Sequence, residues 1–273
     1  EFTAHGLRML PVRVNEIEAI AKLDEFSAGR EFAAAAARAA ARPVTSAVNL
    51  VTRPVETIAG VPGGVTRLFG RIGLAGAGIA RAATAPGQSG TERAAGAAGR
   101  VGATTVTVLG FEQERRRLAE RLGVDPYTTN EVLSAKLTDV AWVAFSGRLT
   151  ISAATAVLAP YSMVIAAPGI THRAIYDVPA ADLVNRASAA FGETGASNAQ
   201  VQALMQNPQY SLSALTSLAV GLQELKGLPG RDAVVGFAAE AQTQDEVYFI
   251  TGAIAMLARH HQAVAPLSRV SAP

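Results

Sequence analysis

Cysteine is absent from the 273 residues, aromatic residues make up 5% and charged residues only 17%. Without a thiol the chain has no thiolate nucleophile, disulfide, iron–sulfur cluster or cysteine-ligated zinc. The shortage of aromatics leaves Ala, Val, Leu and Ile to build the interior. Small side chains of this kind let helix backbones approach closely but bury little area each. A charged fraction below the usual quarter or so, with a mean hydropathy of +0.24, describes a chain that buries an unusual share of itself or docks on something apolar. Lysine is scarce as well: Arg outnumbers Lys 21 to 3, so the sequence pI of 9.2 rests on guanidinium groups. Convincing period-two alternation is missing too, and the best strand candidate, ATTVTVLGF at 103–111, stands alone. The expected fold is all-α.

The basic residues do not form a nucleic-acid face. The one dense cluster, Arg115-Arg116-Arg117, is interleaved with Glu112, Glu114 and Glu120. Glu112 and Arg116 stand at i, i+4, the pattern of a solvated helix face. No nucleic acid is expected as a partner.

Three regions follow along the chain. Residues 1–30 run from an irregular start into a helix, NEIEAIAKLDEF, with Ile17, Ile20, Ala21 and Leu23 on its apolar period and Gly29 as its stop. Residues 31–105 carry eight Arg against three Glu, a local charge of +5. Every seventh residue from Val44 is a β-branched aliphatic: Val44, Val51, Ile58, Val65, Ile72, Ile79. The interleaved row contains Val48, Val55 and Phe69, so the steps alternate four and three, as along a helical seam. Pro43 and Pro54 fit helix first turns or kinks, and GVPGG at 60–64 breaks the helix, so two to four short helices are expected. The region therefore reads as extended, kinked and amphipathic.

Residues 106–273 read as a bundle-like helical domain. FEQERRRLAERLG ends at Gly123, and Thr128 with Glu131 has capping-box spacing. The next helix places Leu133, Leu137, Val140 and Ala144 on one face. Ser211 caps a helix whose stripe is Leu212, Leu215, Leu218, Leu222 and Leu225. The last helix carries Val247, Ile250, Ile254, Leu257 and His261 in line.

The stretches NLVTRPVETIAGVPGGVTRLFGRIG and RLAERLGVDPYTTNEVLSAKLTDVAWVAFSG, with MLARHHQAVAPL, resemble a set of uncharacterised bacterial proteins that look exported. The resemblance covers most of the chain. It implies a periplasmic, extracellular or envelope-associated location and brings no activity with it. The opening Glu1-Phe2, without Met and without a signal-peptide pattern, fits a trimmed or mature product or residues left by cloning.

Candidate chemistry is thin. His260 and His261 are adjacent, and i, i+1 is a poor chelate on a helix. His172 and Tyr176 are one turn apart beside Asp177, with no identifiable nucleophile. Asp125 and Tyr127 sit in GVDPYTTN, a turn able to bind a cation or sugar but also a plain helix stop. His5 stands near the start. GLAGAG at 73–78 lacks a preceding strand, and GVPGGV lacks the Lys-Ser/Thr of a phosphate loop. No catalytic, cofactor or metal residue is assigned.

The first functional expectation is a non-catalytic structural or assembly protein. Its seam, Val44, Val48, Val51, Val55, Ile58, Val65, Phe69, Ile72 and Ile79, docks on a protein partner or a second copy, with Arg53, Arg67 and Arg71 as flanking charge. The alternative is a membrane-active or lipid-binding protein using that seam and the uncharged stretch 149–171, which is long enough to span a bilayer but contains Pro160 and Pro168. A helical enzyme is the third reading.

Overall fold

A computed structural model describes residues 9–29, 33–34, 110–147, 169–264 and 266–270, and among these every regular element is a helix. In chain order they are α1 (Met9–Ser27), α2 (110–122), α3 (Glu131–Gly147), α4 (Gly169–Asp177), α5 (Ala180–Gly192), α6 (Asn198–Gln206), α7 (Leu212–Glu224), α8 (Arg231–Ala239) and α9 (Gln244–Ala263). The seam residues Val44 to Ile79, the flanking Arg53, Arg67 and Arg71, His5 and most of the stretch 149–171 lie outside the described residues.

Helix α7 is the axis of the fold. Its Ser211 N-cap accepts a hydrogen bond from the Ala214 amide, and all five expected leucines are fully buried. Ser213, Thr216 and Ser217 are buried too, because α7 is surrounded: it packs most extensively against α5 and α9 and also touches α4. The Thr216 and Ser217 hydroxyls donate back to the carbonyls of Leu212 and Ser213, so small polar residues enter the core without orphaned groups. Gly221 sets the approach of α7 to α9, since a β-carbon there would come within 2.8 Å of Ile254 Cγ2.

Around this axis α6 packs on α5 and α8, and α1 packs on α3. Helix α6 starts with a capping box between Ser197 and Gln200, and α9 with one between Thr243 and Glu246. Gly123 stops α2 with φ +66, a conformation that favours glycine.

Three local expectations are corrected. On α1 the inward side holds Met9, Glu16, Ala19 and Leu23, while Ile17 faces out. The helix is turned because Glu16 is drawn inward by hydrogen bonds. The cap of α3 is Asn130, whose side chain accepts from the Leu133 amide; Thr128 donates its hydroxyl to Glu16 instead. On α9 the buried line runs Val247, Ile250, Thr251, Ile254 and Ala258, and Leu257 lies at its exposed margin.

The largest correction concerns Glu112, Arg115 and Arg116. They are buried, not solvated, and only Arg117 and Glu114 form an outward pair. Arg116 Nε donates to the Tyr176 carbonyl at 2.9 Å, near the end of α4. Glu112 accepts from Arg116 at 3.2 Å and from the Ala180 amide at 3.4 Å, at the start of α5. Helix α5 has Pro179 at its N-cap and no side-chain cap of its own. One ion pair on α2 therefore closes the break between α4 and α5, placing a cation on a helix C-terminus and an anion on a helix N-terminus.

Candidate functional site

Among the described residues a small cavity lies where α1, the turn 123–130, the start of α7 and the first half of α9 meet. Its volume is about 50 Å³, space for roughly three water molecules. The apolar part of its wall comes from Met9, Pro11, Val12, Val124, Ala214 and Val247. The polar part includes Arg13, Asn15, Glu16, Asp125, Thr128, Thr129, Ser211, Gln244, Tyr248 and Thr251.

Two carboxylates dominate this wall. Glu16 is 5% exposed and accepts from Thr128 Oγ1 at 2.6 Å, from Asn130 Nδ2 at 2.9 Å and from Arg13. Arg13 reaches on to Gln244 Oε1 at 2.7 Å, and Gln244 Nε2 donates to Thr129 Oγ1 at 2.6 Å. Asn15 donates to the Gly123 carbonyl at 2.7 Å. Asp125 accepts from the Tyr127 amide at 2.8 Å and from Ser213 Oγ at 2.5 Å. The bonds of Arg13 to Gln244, of Asn15 to Gly123 and of Glu16 to Thr128 and Asn130 tie the start of α1 to residues more than a hundred positions away.

Burial pushes the Asp125 carboxyl above its ordinary value of 3.8; the Ser213 and Ser211 hydroxyls and the Tyr127 amide hold it back, and nearby Glu16 adds to the rise. Burial likewise raises the Tyr248 hydroxyl far above the phenol range. The folded state thus holds the Asp125 proton more tightly than the unfolded chain does. Asp125 therefore takes stability away as pH rises from about 3.8 through its folded-state pKa, and the loss is complete above it. Asp125→Asn removes that titration while keeping an oxygen for Tyr127 and Ser213. The unfolding free energy of the variant relative to the native chain is expected to climb across this window and then level, by about 1.4 kcal/mol per unit of raised pKa. Urea unfolding between pH 3.5 and 8, on the order of ten points, reads it; a difference that stays flat contradicts the assignment.

The expected turn at Asp125 and Tyr127 is thus a helix stop whose carboxylate is engaged internally. Tyr176 donates its hydroxyl to the Val124 carbonyl at 2.9 Å, and His172 is exposed with its ring centroid 4.7 Å from that of Tyr176. Asp177 is exposed. His261 Nδ1 accepts from the Leu267 amide at 2.9 Å, folding the C-terminal tail against α9, and His260 points outward. None of these three histidines lines the cavity. Among the described residues no group of three or more His, Asp or Glu side chains could hold a metal ion, and no helix is long and apolar enough to cross a membrane.

The cavity was not legible in the sequence beyond Asp125. Glu16 stood inside an apparently ordinary amphipathic helix, and a buried glutamate looks like a solvated one until its partners are placed. The chain matches no protein-family model, no curated protein and no solved structure.

Proposed function

We propose that this chain is a non-catalytic assembly protein. Its all-helical body is a rigid mount, and its Arg-rich segment docks through the aliphatic seam Val44 to Ile79 on a protein partner, with Arg53, Arg67 and Arg71 meeting acidic groups on the rim. A location in the bacterial envelope belongs to this reading. The observation that supports it best is the state of the cavity: its carboxylates are engaged by Arg13, Thr128, Asn130, Ser213 and the Tyr127 amide. Catalysis at neutral pH asks for a base within reach of a nucleophile; here the carboxylates serve as fasteners.

The test is a triple change, Val51→Asp, Ile58→Asp and Val65→Asp, in the full chain. The native chain, immobilised in an extract of its source cells, is expected to retain one defined partner that the triple variant loses, with helical circular dichroism unchanged. Equal retention by both chains would make the seam internal packing. Flotation of the native chain with anionic liposomes, weakening with salt, would replace the protein partner with a membrane surface.

A further inference from the structure

Helix α1 is apolar on two sides. Its inner side buries Met9, Ala19 and Leu23. Its outer side carries Leu10, Val14 and Ile17, at i, i+4 and i+7, which are 52, 47 and 44% exposed. A helix with apolar residues on opposite sides ordinarily has both sides covered. The exposed Glu18 and Glu25 border this outer side, with the half-buried Lys22 between them.

The far half of α9 has the opposite sign. Met256 is 72% exposed, Leu257 36%, and Val264, just past the helix end, 74%. Arg259 and His260 lie exposed among them. No Asp or Glu follows Glu246 in the sequence, whereas Arg259 and Arg269 do. One chain therefore presents an acid-bordered apolar face and a base-bordered apolar face, each of helical width.

We propose that the occupant of the α1 outer face is a second copy of this chain, which seats the Met256–Val264 end of its α9 against Leu10, Val14 and Ile17, with Arg259 facing Glu18 and Glu25. Most soluble oligomers are built from copies of one chain, and the charge match selects the α1–α9 pairing: α1 against α1 would bring Glu18 and Glu25 together with their copies, and α9 against α9 would bring cations together. This contact uses only described helices and does not depend on the seam.

Sedimentation of the purified full chain reads it. The native chain is expected to rise above its 28.1 kDa monomer mass as concentration increases. Val14→Asp and Met256→Asp, both at exposed positions, are each expected to weaken association by about tenfold or more. Glu18→Arg with Glu25→Arg, and separately Arg259→Glu, are expected to weaken it as well, and mixing those two variants is expected to restore it. The proposal is overturned if the native chain stays at one chain's mass throughout, or if Val14→Asp and Met256→Asp leave the association unchanged. The seam reading fails on a different measurement, partner retention by the triple aspartate variant, so the two failures are distinguishable.

Discussion

Glu16→Ala is expected to cost the folded state about 3–5 kcal/mol, the range for removing one member of a buried, hydrogen-bonded charge set. Glu16 accepts from Thr128, Asn130 and Arg13, so its loss strands three donors around the cavity at once. Asn130 must also cap α3, and without Glu16 its amide nitrogen has no carboxylate to hold the side chain in place. Glu16→Gln keeps the volume and one acceptor oxygen and is expected to lose roughly half as much, because hydrogen bonds to a charged group are about twice as strong as neutral ones. Denaturant unfolding followed by helical circular dichroism measures both. A loss below about 1 kcal/mol for the alanine variant would place Glu16 among ordinary surface charges and remove the argument that α1 is held by its polar side.

Arg116→Met is the second large effect, about 3–5 kcal/mol, and arises in the middle of α2. Its guanidinium serves the Tyr176 carbonyl and the Glu112 carboxylate together. Burial already pushes the Glu112 carboxyl up against the opposing pull of Arg116, so removing the cation leaves a carboxylate that takes up a proton to stay buried. The variant is therefore expected to be less destabilised at low pH, where that proton is supplied, than at neutral pH. Pairing it with Glu112→Leu is expected to recover much of the loss, since removing both charges costs less than stranding one. What stays lost is the acceptor for the Ala180 amide at the uncapped start of α5. If the double variant is as unstable as the sum of the singles, the two residues do not act as a unit.

The parts of the fold that were legible in sequence are those whose cause is local. Ser211 and its leucine stripe and the Gly123 stop follow from neighbours a few positions apart, and the structure places each there. The errors at charged and polar residues share one physical origin. Glu16 faces inward because its partners stand 112 and 114 residues away. The Glu112–Arg116 pair has the right spacing but the wrong surroundings, because the groups it satisfies lie 60 and 68 residues further on. A charged side chain is placed by its partners, and periodicity alone ranks it as solvent-facing. Thr128 shows the same effect on a smaller scale: its spacing to Glu131 suggested a cap, yet Glu16 claims its hydroxyl. Of the cavity itself only Asp125 and its turn were visible, since α9 contributes Gln244 and Tyr248 from the far end of the chain.

The bond from Arg13 to Gln244 spans 231 residues, and it gives α1 a particular history during synthesis. The helix leaves the ribosome well before the residue that fastens its opening turn is made. At roughly 5–20 residues per second, on the order of ten to fifty seconds pass while a segment with greasy flanks on both sides waits for its mate. Helix α1 is thus made well before the contact that completes its opening turn.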